Sequence, residues 1–306
     1  MNAFGDSKRP EIRSLDRRTP AKYVAEQIVV VDVGNSSVKA KVYPNDDAVG
    51  RRVTQTSGDV DTVASFLSEI IQGLRTHIVI ASVCDAARDT LLERTSSSPE
   101  DRTIWFECLA TDFDLVLDVD HPDRVGVDRV AAASAAFSIT GGDTVVIDSG
   151  TAVTVDLVRS PRSNSNNRPI FCGGAILPGL RLQSESLAGG TSNLPTVAGL
   201  CNGVDAPASD HQMLPGRNTE AAIHSGVLAA TAGGIDRIVD IYRDQVPGEV
   251  FVISSGGDAL RLQSQLRCGP TQVPDLVCDG VAELVLGNSS STNASSAEET
   301  LRADPR

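Results

Sequence analysis

Two stretches of this chain repeat one another. Residues 28–43, IVVVDVGNSSVKAKVY, form an apolar run ending on Asp32, a Gly-Asn-Ser-Ser turn and a second, alternating run. At 145–158, VVIDSGTAVTVDLV sets Asp148 against Asp32 and Gly150 against Gly34, 116 positions further on. An apolar run, small turn residues and a period-two run together describe a β-hairpin. Two hairpins with the same acid and glycine in the same places imply two related domains, each offering a polar turn, with a cleft between them. Bare backbone N–H groups at such turns suit phosphate oxygens, and an aspartate ending each first strand suits a cation beside them. Two unrelated hairpins that merely look alike are the plain alternative.

The 306 residues and 41% hydrophobic content are enough for two sizeable cores. A formal charge of −13 argues against nucleic acid as partner, because binding it requires a basic footprint. An anionic substrate is then held by local donors and metal. Six cysteines, Cys84, Cys108, Cys172, Cys201, Cys268 and Cys278, form no C-x-x-C pair, so neither a zinc site nor a disulfide framework is signalled. Reduced thiols fit a cytoplasmic protein. The first 20 residues lack the apolar core of a secretory signal, and no run approaches the roughly 20 apolar residues of a membrane span, so a soluble protein is expected.

Along the chain, strands and helices alternate after the first hairpin, which is α/β organisation. Residues 1–26 are polar, basic and proline-punctuated and are given no fold; 27–140 form the first domain, 141–287 the second, and 288–306 a low-complexity tail. A helix is expected over 61–74, a buried strand over 77–83, a short helix over 87–95 and a strand over 103–109. The alanine-rich run 121–139 predicts a strong helix with Asp128 in or near its first turn, where the helix dipole favours the carboxylate. A helix-capping acid is the plainer role for Asp128. In the second half, 159–169 is read as an exposed hairpin tip and 171–195 as a helix between glycine-rich loops. Residues 196–217 are read as a long irregular loop, and 218–245 as a helix with Asn218 or Thr219 as N-cap, interrupted at Gly233-Gly234. EVFVISSGGDAL at 249–260 is a strand running into a Gly-Gly turn, where a flat ring can approach the backbone or a plain tight turn can sit.

Seven motifs in order resemble those of the type III pantothenate kinases, within the acetate and sugar kinase, heat-shock chaperone and actin superfamily. DVGNSSVK (32–39) is similar to the family's first phosphate motif, D-x-G-N-T-x-x-K, with Ser36 in the threonine place. GVDR (126–129) matches the substrate motif and DSGTAVTVD (148–156) the second phosphate motif. GGAILPGL (173–180), the T-x-x-L-P of Thr191 to Pro195, NTEAAIHSG (218–226) and SSGGDA (254–259) complete the set. The two phosphate motifs define the wider superfamily, so GVDR and the region from the Gly-Gly pair to Thr219 carry the specific assignment.

The resemblance implies two actin-like ATPase domains, each a mixed sheet with an initial hairpin and flanking helices. It implies ATP phosphates surrounded by Asp32, Val33, Gly34, Asn35, Ser36, Ser37, Val38 and Lys39, with Thr151 also on ATP and SSGG (254–257) beside the adenosine. Asp32 would help hold Mg²⁺, and Asp148 a monovalent cation, K⁺ or NH₄⁺. Asp128 would be the general base, while Gly126, Val127, Asp128, Arg129 and Thr219 would contact pantothenate. A cytoplasmic homodimer making 4′-phosphopantothenate, the first step of coenzyme A synthesis, is the implied whole. One departure stands out: Val119 occupies a place where the family commonly has a tyrosine of the pantothenate pocket, and His121 replaces a frequent asparagine. The alternatives are another small-molecule kinase of the superfamily or a catalytically silent nucleotide-binding regulator. A dinucleotide-binding dehydrogenase is disfavoured, because a hairpin follows the first strand and G-x-G-x-x-G is absent.

Overall fold

The computed structural model describes residues 10–15, 25–44, 55–95, 102–162, 165–201 and 214–287. Expectations for the 288–306 tail and for residues 1–9, 16–24 and 202–213 lie outside them. One sheet contains β1 (Ile12–Ser14), β2 (Gln27–Val33), β3 (Val38–Pro44), β4 (Gln55–Gly58), β5 (Thr76–Ser82) and β6 (Thr103–Cys108), in the order β1-β6-β5-β2-β3-β4. The other contains β7 (Val116–Leu117), β8 (Thr144–Ser149), β9 (Ala152–Arg159), β10 (Ile170–Pro178), β11 (Phe251–Ser255) and β12 (Thr271–Gln272), in the order β12-β11-β8-β9-β10-β7. The helices are α1 (Val60–Ile70), α2 (Asp85–Arg94), α3 (Val127–Thr140), α4 (Leu180–Gly190), α5 (Ala198–Cys201), α6 (Thr219–Gln245), α7 (Ala259–Gln263) and α8 (Leu276–Leu286).

The repeat read from the sequence is a repeat of topology. In the first sheet β2 pairs antiparallel with β3 and parallel with β5; in the second β8 does the same with β9 and β11. Each hairpin gains a further antiparallel strand, β4 or β10, and each parallel strand a further parallel neighbour, β6 or β12. What differs is one added edge strand apiece: β1 beside β6, and β7 beside β10. The expected fold class, two mixed sheets with initial hairpins and flanking helices, is what the chain adopts.

The chain divides into two compact units that are not simple halves. The first takes the chain up to Asp114, then His121–Ala135, and again from Val277; the second takes Leu115–Asp120 and Ala136–Leu276. In the first unit, alternate residues of the sheet (Val29, Val31, Val33, Val38, Ile78 and Ile80) are buried with Val63 and Leu67 of α1, Leu91 and Leu92 of α2, and Trp105. A period of two therefore places Asp32, Lys39, Lys41 and Tyr43 on the opposite face. In the second unit, Val145, Ile147, Val153 and Val155 pack with Leu180 of α4, Ile223, Val227, Ile235 and Val239 of α6, and Leu262 of α7. Asp148 again falls on the other face.

Several local expectations are corrected. Ile12–Ser14, within the stretch given no fold, is an edge strand, because pairing backbone with an open sheet edge requires no side-chain pattern. The helix expected over 61–74 runs Val60–Ile70, begun by Asp59, whose carboxylate accepts from Thr62 N at 2.8 Å. Residues 173–178 are not a loop before a helix but the end of β10, with a register shift between Phe171 and Gly174. In the 159–169 insertion Ser165 is buried, its hydroxyl accepting from Arg162 N. Helix α6 is uninterrupted for 27 residues, capped by Asn218 accepting from Ala221 N at 2.8 Å. Glycine in a helix costs about 1 kcal/mol relative to alanine; Gly234 lies close to Leu177, 3.0 Å from Cδ2 to the place of an added Cβ, while Gly233 has open space.

Candidate functional site

In the first unit the site begins where the β2–β3 hairpin turns. Val33 pairs with Val38, which leaves Gly34, Asn35, Ser36 and Ser37 as the turn, and Gly34 N donates to Ser37 O at 3.1 Å. The two valines are buried and anchor the turn, while Asn35, Ser36 and Ser37 are exposed. Asp32 and Lys39 are cross-strand partners on one face, both half-buried. Opposite charges so placed support each other by roughly 0.2–1 kcal/mol.

Asp128 reaches the same edge of the sheet through a short series of contacts. Val83, just past β5, donates its N–H to Val33 O at 3.0 Å. Gly126 lies on Val83: an added Cβ would sit 3.6 Å from Val83 Cγ1 and would collide with Asp128 Oδ1. The Asp128 carboxylate thus folds back into the space that a side chain at 126 would take. Asp128 is the second residue of α3, and its Oδ1 accepts from Arg129 N at 2.8 Å. A cap would accept from two or three residues further on, so the plainer capping role does not describe it. Burial pushes its carboxyl above the usual aspartate range, and the Arg129 N–H and guanidinium offset this only in part. A carboxylate in that condition is a stronger base than one in open water.

In the second unit the turn is shorter and more heavily braced. Ser149 pairs with Val153, leaving Gly150, Thr151 and Ala152, with Gly150 N donating to Ala152 O at 2.9 Å. Gly179 N donates to Thr151 O at 3.0 Å, and any side chain at 179 would collide with Gly150 O. From the other side Gly256, at φ +96°, leaves no room for a Cβ, which would lie 2.5 Å from Asp148 Oδ1 and 2.6 Å from Ser149 N. Asp258 N donates to Ser149 O at 2.9 Å. The SSGG stretch thus backs directly onto Asp148. Asp258 escaped the sequence reading, although its place just after the Gly-Gly pair was a signal; burial raises its carboxyl against the pull of Arg261, 3.2 Å away.

Thr219 is exposed in the first turn of α6, and Arg129 is half-buried beside Asp128. Val119 follows β7, and its Cγ1 lies 3.3 Å from where a Cβ on Gly173 would be, over the irregularity in β10. Among the described residues no group of three or more His, Cys, Asp or Glu side chains could hold a metal ion. Asp148 Oδ1 and Ser149 O both border the place a Cβ on Gly256 would take, and oxygen donors of that kind suit K⁺ or Mg²⁺ better than zinc. Burial pushes the Cys172 thiol up to about 11, Cys268 up to about 12 and Cys108 further still, so these three are not poised as nucleophiles.

Each unit thus presents a short polar turn closing a β-hairpin, and the first also carries Asp128, whose carboxyl burial pushes upward. The family model described as type III pantothenate kinase matches residues 28–241. A type III pantothenate kinase of Rhodopirellula baltica is 31% identical over 284 residues, covering 84% of this chain and 98% of the relative. One from Paramagnetospirillum magneticum is 28% identical over 280 residues, covering 86% and 98%. One from Halorhodospira halophila is 30% identical over 262 residues, covering 83% and 95%.

Proposed function

Because the chain belongs to the type III pantothenate kinase family, we infer that it transfers the γ-phosphate of ATP to the primary hydroxyl of pantothenate. The products are 4′-phosphopantothenate and ADP, in coenzyme A synthesis. The observation that carries the catalytic reading is Asp128, raised in pKa and folded back against Gly126, which packs on Val83 beside the strand that leads into residues 34–37. Phosphoryl transfer asks mainly for positioning and charge neutralisation. Residues 32–39 hold the phosphates, with the turn's N–H groups and Lys39 as donors. Asp128 orients the pantothenate hydroxyl and accepts its proton late in the transition state. Arg129 is placed to meet an anionic group, and Thr151 and Thr219 complete the contacts to ATP and pantothenate.

Mg²⁺ entering with ATP at Asp32, and K⁺ or NH₄⁺ at Asp148, would neutralise phosphate charge; the Asp148 carboxylate close to Ser149 O supports the second assignment. A homodimer is part of this reading, supported by the exposed Leu182 and Leu187 on α4. A cytoplasmic location is supported by Cys84, Cys108, Cys172, Cys268 and Cys278 being thiols rather than disulfide partners. Among the described residues no helix is long and apolar enough to cross a membrane. The test is ADP release with ATP, Mg²⁺ and K⁺ against a panel of pantothenate, sugars and small hydroxy acids. Turnover is expected with pantothenate; turnover of another alcohol and none of pantothenate would replace this reading with a different kinase specificity.

A further inference from the structure

Helix α8 carries a glycine, Gly280, in its interior (LVCDGVAELVL), where an alanine would favour the helix by about 1 kcal/mol. The cost has a packing cause. An added Cβ at 280 would collide with Ala131 O and lie 2.7 Å from Ala131 C, so the backbones of α8 and α3 touch directly. The alanines of α3 suit this approach: Ala131, Ala132, Ala133 and Ala135 are all buried. One residue earlier, Asp279 Oδ1 accepts from Lys41 Nζ at 2.5 Å and from Tyr43 OH at 2.6 Å. Lys41 and Tyr43 follow Lys39 along β3 on the same face, and the Lys41 ammonium lies 5.3 Å from the Tyr43 ring centroid. Adjacent residues of one helix therefore grip the strand that leaves the 34–37 turn and the helix that carries Asp128 in its first turn.

We propose that Asp279 and Gly280 are positioning residues for phosphoryl transfer: Asp279 holds β3 and the turn 34–37, Gly280 seats α3, and α8 thereby sets the placement of the base relative to the phosphates. This rests on the reading of residues 32–39 as phosphate ligands and Asp128 as base. Small displacements of well-placed reacting groups are costly to rate, and a half-buried charged hydrogen-bond network loses more than one pair when a member is removed.

The two residues act through different partners, so their substitutions should split. In the full chain, Asp279→Ala is expected to raise KM for ATP by about five- to tenfold and to weaken ATP binding by titration equally, with kcat changed less than about threefold. Asp279→Asn keeps a carbonyl acceptor for Tyr43 and should recover most of the loss. Gly280→Ala is expected to lower kcat by about tenfold or more while ATP binding stays within about twofold. Variants that lower the melting temperature but keep wild-type constants in the folded protein would show α8 to be scaffold only, as would two variants with identical kinetic defects. Failure of the underlying reading looks different: a wild-type chain inert toward pantothenate removes the substrate assignment, yet ATP titration still reports on Asp279. Should Asp128→Asn retain turnover, Gly280 loses its role and the Asp279 arm is judged by ATP affinity alone.

Discussion

The two hairpin turns descend from one pattern and yet are built differently. The first spans four residues, 34–37, between Val33 and Val38; the second spans three, 150–152, between Ser149 and Val153. The first leaves Asn35, Ser36 and Ser37 exposed, with Val83 as a backbone brace on Val33. The second is pressed by Gly179 on one side and by Gly256 and Asp258 on the other. A turn that folds around phosphates benefits from exposed donors, whereas one that presents oxygens to a cation benefits from being rigid. The first turn is also linked, through Val83 and Gly126, to Asp128, the proposed base. The repeated topology supplies two scaffolds, and the loops packed around each brace them differently.

The sharpest test of that difference is the base. Asp128→Asn should lower kcat by about 10²- to 10⁴-fold with the KM for ATP little changed, because the amide keeps the shape and loses the basicity. Near-normal turnover would leave the first turn with no base. The pH profile tests the same residue with a defined sign. Burial raises the Asp128 carboxyl, so the active, ionised form is lost on acidification at a higher pH than for an aspartate in water. The acid limb of kcat/KM should fall above the ordinary aspartate range and should vanish in Asp128→Asn.

For the second turn, activity should depend on K⁺ or NH₄⁺ by on the order of tenfold over a sodium-only buffer, and Asp148→Ala should abolish the dependence. An Asp148→Ala enzyme that still responds to K⁺ would sever the turn from the cation. Rigidity separates the turns as well. Gly256→Ala meets backbone and a positive φ, and should cost about 2–4 kcal/mol in denaturant unfolding. At Gly34 the nearest atom to an added Cβ is Ser37 O at 3.1 Å, so Gly34→Ala should cost about 1 kcal/mol or less. Equal costs at the two glycines would erase the distinction.

The smallest effect is expected at Val119. Gly173, at φ +77° and without a side chain, leaves the space beside Val119 uncovered. Val119→Tyr should then lower KM for pantothenate by no more than about tenfold, with kcat and the KM for ATP unchanged. A rise in KM would mean that His121 or a neighbour already fills that space.

Much of this was legible in the sequence, for identifiable reasons. Period-two alternation around Asp32 and Asp148 is a local property, so both hairpins, their turns and the face each aspartate takes could be read directly. The alanine run from 131 likewise announced α3, with Asp128 in its first turn. The seven motifs in order gave the family, because residue types at fixed spacing survive without knowledge of the fold. Distance along the chain hid the rest. Gly233-Gly234 looked like a helix break, yet α6 runs through it, with Gly234 lying against Leu177 of β10. Ile12–Ser14 had no pattern to read, since an edge strand is held by backbone. Nothing in LVCDGVAELVL said that Asp279 would meet Lys41, 238 residues away, or that Gly280 would rest on Ala131. Local spacing settles which face a side chain takes; which partner meets that face is decided by packing, and only the tertiary structure brings α8 back onto β3 and α3.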